Sequence, residues 1–254
     1  MSTLAVIPAR LAATRLPRKP LRLLGGRPLV VRVWERVTDL GVAERVVVAT
    51  DSEEIARAVR EAGGEVALTR PDHPSGTDRV AEVASRPEYA GASAILNVQG
   101  DEPFVSAAAL TGALDMVRRR GFPLGTAAVE VDGSARARPE IVKVVAADDG
   151  RALYFSRAGI PFPRDGAHDP ATAGVPVLQH IGVYAYAPDA LARWVALPEH
   201  PLERCERLEQ LRPLAAGLAM GVAVITEAPA RGVDTEADLE AANARWAELH
   251  HGHR

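Results

Sequence analysis

The sequence predicts an α/β fold with a doubly wound, mostly parallel sheet and a mixed or antiparallel second half. In the first hundred residues, short apolar segments alternate with amphipathic ones, and this βαβα order is typical of parallel strands joined by right-handed crossovers. After about residue 123, strand-like segments follow one another with fewer helices between them. The chain has 254 residues, of which 47% are hydrophobic, so it can bury a substantial core.

The predicted strands of the first half are almost continuously apolar, as expected for strands that are covered on both faces. They span residues 5–7, 46–48 and 95–98. Apolar residues recur at helical spacing over residues 28–40, and a more polar helix is expected over residues 53–62. These helices provide the crossovers between parallel strands.

The second half is expected to contain more strands than helices. The predicted strands span residues 125–129, 141–145, 152–155, 178–186 and 222–225. Alternation along the segment 178–186 gives one polar and aromatic face, formed by His180, Gly182, Tyr184 and Tyr186. This face is available to a ligand, while the opposite face is apolar.

Two helices and one loop complete the prediction. Residues 201–211 are predicted to form one helix that ends before Pro213. Its buried side is expected to contain Leu202, Cys205, Leu208 and Leu211. A capping box from Thr235 to Asp238 predicts the start of the last helix. Residues 163–176, rich in Pro, Gly, Asp and Ala, are predicted to be a mobile loop.

The composition narrows the class of partner. The formal net charge is −3, the pI is near 6.2 and the positive charge is concentrated in one loop, which argues against nucleic-acid binding. The single cysteine, Cys205, cannot form an intramolecular disulfide, and we interpret it as a core residue in a reducing compartment. No stretch approaches the roughly 18 apolar residues that a membrane span requires. We therefore expect a cytoplasmic protein with a small-molecule ligand and no membrane partner.

A cationic loop directly follows the first strand. No acidic residue precedes Glu35, and the basic side chains are Arg10, Arg15, Arg18, Lys19 and Arg22. Three prolines stiffen this loop, so it loses little entropy when it binds an anion. Ligands of parallel sheets bind at the carboxyl ends of the strands, which is where this loop is predicted to lie. Because the chain has no glycine-rich phosphate-binding motif, we expect the cations themselves to bind a polyphosphate.

Two aspartates at turns are candidate metal ligands. Asp101 lies in the string Asn97-Val-Gln-Gly-Asp-Glu-Pro103, after the third apolar strand, and Asp234 lies in Gly232-Val-Asp-Thr235, before the last helix. Mg²⁺ takes one or two protein carboxylates and fills its other positions with phosphate and water. The sequence thus predicts Mg²⁺ as cofactor, with an ordinary turn or cap role as the alternative for each aspartate.

A further polar segment, residues 69–79, follows another predicted strand. It contains Thr69, Arg70, Ser75 and Asp78, side chains that can bind a base edge or a ribose. The same residues also form a plain helix start, so this segment alone is a weak indication of nucleotide binding.

These segments, in this order, resemble the 3-deoxy-manno-octulosonate (Kdo) cytidylyltransferases over nearly the whole chain. The matching strings are Ile7-Pro-Ala-Arg10, Thr14-Arg-Leu-Pro17, Lys19-Pro-Leu21, Val48-Ala-Thr-Asp51, Thr69-Arg70, Ser75-Gly-Thr77, Asn97 to Pro103, Tyr154-Phe-Ser-Arg157, His180-Ile-Gly-Val-Tyr184, Pro201-Leu-Glu203, Leu208-Glu-Gln-Leu211 and Gly232 to Thr235. The resemblance implies a Rossmann-like nucleotidyltransferase fold. It also implies that the anomeric hydroxyl of Kdo attacks the α-phosphorus of CTP, giving CMP-Kdo and pyrophosphate for lipopolysaccharide precursor synthesis.

The resemblance implies roles for individual residues. Catalytic roles fall to Arg10, Arg15, Lys19, Asp101 and Asp234, of which the two aspartates hold Mg²⁺. Nucleotide binding falls to Ala9, Arg10, Lys19, Arg70, Ser75 and Gln99. Sugar binding falls to Arg157, His180, Tyr184, Glu209 and Gln210. The alternatives are a core histidine at His180 and a solvated helix charge at Glu209.

The resemblance also implies a single nucleotidyltransferase domain over residues 1–254 and a homodimer. Within it, a nucleotide-binding half is expected at about residues 1–122 and a sugar-binding and dimerisation half at about 123–230, with the C-terminal helix, residues 231–254, packing back. Two residues depart from the family pattern. Arg18 stands where the loop commonly has glycine, which puts the loop conformation in question, and Asp78 replaces the usual glutamate.

Three alternative functions stay open on the sequence. The acceptor can be another 2-keto acid sugar, such as a sialic acid or 8-amino-Kdo, which shares the carboxylate and the tertiary hydroxyl. A nucleotide-sugar glycosyltransferase has a similar sheet but usually shows Asp-x-Asp after a strand, where this chain has Gly100-Asp101-Glu102. A non-catalytic nucleotide-binding module would bind CTP and release no pyrophosphate.

Overall fold

In a computed structural model, the chain forms two compact units, residues 1–107 with 230–254 and residues 108–229. The structure describes residues 2–12, 15–164, 166, 174–227 and 231–251. The predicted loop at residues 163–176 therefore lies largely outside the described residues. Each unit combines strands with helices, and together they confirm the predicted α/β class with a parallel first half and a mixed second half.

The first unit is built around four parallel strands. In chain order, its elements up to residue 97 are β1 (Ser2–Ala9), a 3-10 turn (Lys19–Leu21), β2 (Leu23–Leu24), β3 (Arg27–Pro28), α1 (Leu29–Asp39), β4 (Arg45–Thr50), α2 (Glu53–Glu61), β5 (Glu65–Leu68), α3 (Gly76–Ala84), a 3-10 turn (Pro87–Tyr89) and β6 (Ala92–Asn97). The parallel strands lie in the order β6, β1, β4, β5. Because they run in one direction, the segments after Ala9, Leu68 and Asn97 leave the same edge.

Helix positions in the first unit follow the predicted apolar spacing. The helix expected at residues 28–40 is α1, which buries Leu29, Val33 and Val37. The helix expected at residues 53–62 is α2, which begins where the Ser52 Oγ accepts a hydrogen bond from the Ile55 N–H at 3.3 Å. This side-chain cap satisfies one of the amides that a helix start leaves without a partner.

The second unit is a mixed sheet with helices. Its elements are α4 (Ala107–Arg118), which starts at the unit boundary, β7 (Leu124–Val131), a 3-10 turn (Gly133–Ala137), β8 (Lys143–Ala146), β9 (Ala152–Ser156), β10 (Val177–Tyr186), α5 (Pro188–Ala196), α6 (Pro201–Glu206), α7 (Leu211–Ala215) and β11 (Met220–Ile225). Strand β7 is parallel to β11 and antiparallel to β10. Strand β8 is antiparallel to both β9 and β10.

The prediction of one helix over residues 201–211 is wrong. The chain forms two short helices, α6 and α7, because Arg207 adopts a left-handed conformation with φ of 53°. Pro213 lies in the first turn of α7, where the missing N–H would have no helical partner in any case. The predicted buried side is also partly wrong, since Leu202 and Cys205 are exposed.

The last helix, α8 (Glu236–His251), belongs to the first unit. The predicted capping box is present: Thr235 Oγ1 accepts from the Asp238 N–H at 3.2 Å, and Asp238 Oδ2 accepts from the Thr235 N–H at 2.9 Å. A buried apolar cluster joins this helix to the cationic loop, and it consists of Leu16, Leu24, Leu29, Val233, Leu239 and Ala242. None of the helices in the described part of the chain is long and apolar enough to cross a membrane.

Candidate active site

A cavity of about 360 Å³ opens at the carboxyl edge of the parallel strands in the first unit. Five of the predicted phosphate-binding and metal-binding residues line it, namely Arg10, Arg15, Lys19, Asp101 and Asp234. Three of the predicted nucleoside-binding residues also line it, namely Ala9, Ser75 and Gln99. The structure therefore brings together residues that are up to 225 positions apart in the sequence.

The two aspartates converge on one ammonium group. Lys19 Nζ donates to Asp101 Oδ2 at 2.5 Å and to Asp234 Oδ1 at 3.0 Å. Burial alone would lower the pKa of Lys19, but the two carboxylates outweigh it and raise the pKa above its usual value. Arg15 approaches the other oxygen of Asp234, with Nη2 3.0 Å from Oδ2. The carboxylates thus define one position where a cation is stabilised.

Close backbone packing places Asp101 and Asp234 side by side. A side chain at Gly100 would come within 2.9 Å of the Pro8 carbonyl oxygen, so glycine allows the turn to lie against the end of β1. The Val233 N–H donates to the Asp101 carbonyl oxygen at 2.9 Å, which joins the two aspartate turns directly. The start of α8 then fixes Asp234, whose N–H donates to Asp238 Oδ2 at 3.2 Å.

A third carboxyl group, that of Glu102, lies beside this site and is held mostly in its protonated form. Burial raises the pKa of Glu102 to about 8, and the charges of Asp101 and Asp234 act in the same direction. Lys19 opposes this shift but does not overcome it. A carboxyl group with a pKa of about 8 is mostly protonated at pH 7, so the negative charge of the site comes from Asp101 and Asp234, which Lys19 and Arg15 face.

The donor set fits Mg²⁺ in the presence of a phosphate ligand. Among the described residues, no group of three or more His, Cys, Asp or Glu side chains is arranged to hold a metal. Mg²⁺ commonly uses one or two carboxylates and completes its octahedron with substrate phosphate and water, so Asp101 and Asp234 are a sufficient protein contribution.

The cationic loop uses a strained residue to present Lys19. Arg18 has φ of 56° and ψ of 31°, a left-handed conformation that favours glycine, and it forms an ion pair with Glu54. Lys19 then starts the 3-10 turn, while Leu16 anchors the loop in the core. The structure thus explains how an arginine is accommodated where the resembled family commonly has glycine. Arg10 is exposed at the cavity and forms no ion pair with the described acidic residues.

The segment 69–79 contributes residues that the sequence analysis did not select. Arg70 does not line the cavity, and its Nε lies 3.8 Å from both Asp72 and Glu82 at the surface. Instead, His73 and Arg79 line the cavity. His73 is bound to Glu82 on α3, and Arg79 is bound to Thr69 and Asp51. These pairings do not follow from spacing within the segment.

Arg79 is held by two residues at the carboxyl edge of the sheet. Its side chain is 4% exposed, Nη2 lies 3.3 Å from Asp51 Oδ1, and Nη1 donates to the Thr69 hydroxyl. Ser75 caps α3 by accepting from the Asp78 N–H at 3.2 Å. This cap confirms the predicted helix start, and Ser75 also lies in the cavity wall.

In the second unit, His180 and Tyr184 lie in one aromatic cluster. Their ring centroids are 5.5 Å apart, and His180 contacts Phe155 edge-on at 5.0 Å. Burial lowers the pKa of His180 to about 3, so its imidazole is neutral at pH 7. Burial raises the pKa of Tyr184 well above its usual value, and the nearby Tyr186 and Glu209 act in the same direction. The pairing of β10 with β7 has a register shift between Ile181 and Tyr184. The rings of His180, Tyr184 and Tyr186 still contact one another in sequence along one face, as the alternation predicts.

The remaining predicted sugar-binding residues are tied to the α6–α7 segment. Arg157 Nε donates to the Glu206 carbonyl oxygen at 2.8 Å, and the Arg157 N–H donates to Glu206 Oε2 at 3.0 Å. Glu209 is partly buried and close enough to Tyr184 to affect its pKa. Gln210 is buried and precedes the first residue of α7.

A polyphosphate-sized cavity with basic side chains and two converging carboxylates at the end of parallel strands defines a nucleotidyltransferase. Residues 4–221 match the family model described as cytidylyltransferase. The chain is 61% identical to 3-deoxy-manno-octulosonate cytidylyltransferase of Gemmatimonas aurantiaca over 98% of this chain and 96% of that protein. The chain belongs to the 3-deoxy-manno-octulosonate cytidylyltransferase family.

Solved structures support this assignment at two levels. CMP:2-keto-3-deoxy-manno-octonic acid synthetase in complex with CTP superposes with a TM-score of 0.89 at 38% identity, over 98% of this chain and 100% of that one. The 4-diphosphocytidyl-2C-methyl-D-erythritol synthase of Anaerococcus prevotii has a TM-score of 0.61 at 14% identity, over 96% and 97% of the two chains. At 14% identity, the second comparison supports a similar fold and nothing more.

Proposed function

We propose that this protein couples CTP to Kdo and releases CMP-Kdo and pyrophosphate in a Mg²⁺-dependent reaction. The observation that carries the proposal is the convergence of Asp101 and Asp234 on a single cation position beside the arginines of the loop. The names of the relatives supply the substrates, and the chemistry of the cavity agrees with a nucleoside triphosphate. By the same resemblance, we propose a cytoplasmic homodimer that serves lipopolysaccharide precursor synthesis.

Charge neutralisation is the main contribution of the loop. Nucleotidyl transfer depends on positioning and on stabilising negative charge at the phosphates, and it needs no nucleophilic side chain. Arg10, Arg15 and Lys19 would bind the triphosphate, and a full charge pair at 4 Å has a Coulomb energy of about 4 kcal/mol at an effective dielectric of 20. Because Leu16 is buried and Lys19 is bound to both aspartates, the Lys19 ammonium is held in place before the nucleotide binds.

Asp101 and Asp234 would hold the metal. Mg²⁺, when bound, supplies positive charge at the phosphates and lowers the pKa of a coordinated hydroxyl. The two carboxylates are kept in register by the Val233 to Asp101 backbone hydrogen bond, so neither side chain needs to reorganise alone. Ser75 and Gln99 would bind the nucleoside at the other wall of the same cavity.

The second unit offers groups suited to a sugar acid. His180 is neutral and Tyr184 stays protonated, so both suit hydrogen bonds with hydroxyl groups. The His180 Nε2 already lies 2.9 Å from the Thr126 hydroxyl oxygen, so a sugar would use Nδ1. Glu209 and Gln210 would contact further hydroxyls. Arg157 would bind a carboxylate or phosphate, and its backbone and side chain are already anchored to Glu206.

Pyrophosphate release tests the reaction and its acceptor. The purified protein is assayed with CTP, UTP, ATP or GTP, with Kdo, 8-amino-Kdo, a sialic acid or no sugar, over a Mg²⁺ titration that includes EDTA. We expect release only with CTP, Kdo and Mg²⁺. Preference for another sugar would show that this sugar, and not Kdo, is the acceptor. CTP binding without pyrophosphate release in the presence of any sugar would refute the enzymatic assignment.

Two neutral replacements test the aspartates. Asp101→Asn and Asp234→Asn should each lower turnover by about 10² or more, while CTP binding changes less, since they would act mainly on the reacting charge. Glu236→Gln is the matched control, because this exposed carboxylate is two residues from Asp234 and does not line the cavity. Turnover within tenfold of the parent for both asparagine variants would remove the metal assignment.

A further inference from the structure

The nucleoside end of the cavity contains a histidine to which the proposed function gives no role. The His73 side chain is 4% exposed and lines the cavity, together with Ser75 and Arg79. Its Nε2 lies 2.5 Å from Glu82 Oε2, a residue on helix α3. One ring nitrogen, Nε2, is therefore held by Glu82, and the imidazole lies in the wall of the cavity.

The state of Glu82 determines which ring nitrogen carries the proton. Glu82 also accepts from the Arg70 N–H at 3.0 Å and from Arg86 Nη2 at 2.7 Å. Burial alone would raise the pKa of Glu82, but the hydrogen bonds from His73, Arg70 and Arg86 outweigh it and lower the pKa to about 2. An ionised carboxylate only accepts hydrogen bonds, so Nε2 of His73 must donate.

The other nitrogen of the ring is then an acceptor on a residue that lines the cavity. In its neutral form the imidazole has one N–H, so Nδ1 of His73 then presents a lone pair. Nδ1 has no hydrogen-bond partner among the described residues, and it is not one of the fully enclosed nitrogens. A ligand group that donates a hydrogen bond would satisfy it.

The hydrogen-bonding groups of this wall match the edge of cytosine. Cytosine presents a 4-amino donor beside the N3 and O2 acceptors. The wall offers the Nδ1 acceptor together with N–H donors on Arg79, while the Ser75 hydroxyl already donates to Asp78 Oδ2 at 2.6 Å. Uracil presents O4, an acceptor, where cytosine has the amino group. The oxygen would face a lone pair, and a site built around a hydrogen bond discriminates strongly against a ligand that cannot make it.

We infer that His73 is a base-specificity residue, whose Nδ1 accepts a hydrogen bond from the 4-amino group of the cytosine ring. Glu82 is the positioning residue that fixes the proton on Nε2. This inference rests on the proposed function for the presence of CTP in the cavity, but it assigns a residue and an interaction that the proposed function does not require.

Equilibrium binding without sugar tests the inference. Dissociation constants are measured at pH 8.5 for CTP, UTP and the triphosphate of pyrimidin-2-one riboside, which lacks the 4-amino group. The wild-type protein should prefer CTP to the analogue by about ten- to a hundredfold. His73→Phe, which keeps a ring and removes the acceptor, should bind CTP and the analogue within about threefold of each other.

A matched control separates this effect from loss of the local network. Arg86→Lys alters a residue that contacts the same Glu82 carboxylate but does not line the cavity, so it should keep the wild-type preference. Equal binding of CTP and the analogue by the wild-type protein would overturn the inference. Full preference for CTP in folded His73→Phe would overturn it as well.

An NMR measurement on the wild-type protein does not depend on whether a variant folds. The imidazole ¹⁵N signals of His73 should show a proton on Nε2, and the Nδ1 signal should shift on addition of CTP but not of the analogue. A proton on Nδ1, or the same shift with both ligands, would refute the assignment. Protein that shows the CTP preference yet releases no pyrophosphate with any sugar would refute the catalytic proposal and leave this one intact.

Discussion

The buried ion pair between Glu203 and Arg212 gives a sharp test of how the α6–α7 segment is held. Arg212 Nε donates to Glu203 Oε2 at 2.8 Å, and Nη2 donates to Oε1 at 2.6 Å. Both side chains are only 10% exposed. The pair connects the two helices across the left-handed Arg207, and the Arg212 N–H donates to the Glu209 carbonyl oxygen at 3.1 Å.

Removing the arginine alone should be costly. Arg212→Met leaves the Glu203 carboxylate buried without its two charged donors, and breaking a buried pair on one side typically costs about 3 to 5 kcal/mol. Glu203→Gln keeps an oxygen for the His200 N–H, which Glu203 accepts at 3.3 Å. The double variant contains no buried charge, so it should be more stable than Arg212→Met by about 2 kcal/mol or more.

Urea unfolding of the four proteins at pH 7 and pH 5 gives the coupling energy. In Arg212→Met, burial raises the pKa of the unpaired Glu203 above its unfolded value, so its penalty should shrink as the pH falls and grow as it rises. The double variant should not show this change. Strictly additive losses, or a penalty for Arg212→Met that does not depend on pH, would show that the buried charge is not what the arginine stabilises.

Three further changes test other parts of the structure by the free energy of unfolding. The folded pKa of His180, about 3, lies below the ordinary 6.5, so its contribution to the free energy of unfolding is complete above pH 6.5 and is lost toward pH 3. In His180→Gln, the fall in the free energy of unfolding between pH 7 and pH 5 should be smaller than in the parent by up to about 2 kcal/mol. An equal fall in both proteins would contradict the burial argument. Gly25→Ala should cost about 1 to 3 kcal/mol more than Gly26→Ala, because both have positive φ but only a side chain at Gly25 would overlap Trp246; equal costs would contradict this. Arg18→Gly should be more stable than Arg18→Ala by about 1 kcal/mol, since φ is 56°, and the reverse order would argue against the left-handed conformation.

The spacing of apolar residues was sufficient to predict those strands and helices that bury one continuous side or are buried along their whole length. The apolar runs that became β1, β4 and β6 and the spacing that became α1 identify strands and helices because burial repeats with their period. The break at Arg207 could not be predicted in this way. Its sequence has helical spacing, and the helices on either side of the left-handed residue are joined by the Glu203 to Arg212 pair, a contact that spacing does not show.

The same distinction applies to the candidate site. The loop and the two aspartates were predictable because each follows a strand end or precedes a helix, and parallel topology brings such positions to one edge. The convergence of Asp101 and Asp234 on Lys19 is a finding of the structure, because it requires the backbone contact from Val233 and the packing of α8 on the loop. The roles of these residues in catalysis stay predictions until turnover is measured.

Two arginines in one segment show why residue type alone does not identify a site. Arg70 and Arg79 are nine positions apart, and both follow β5, yet only Arg79 reaches the cavity. The Arg70 side chain is 68% exposed beside the carboxylates of Asp72 and Glu82. Asp51, by contrast, neutralises the guanidinium of Arg79, and the Thr69 hydroxyl helps to orient it. A buried cation needs such partners before it can be directed at a ligand, because its desolvation is otherwise unfavourable. The residues that direct a side chain into the cavity are therefore as much a part of the site as the side chains that line it.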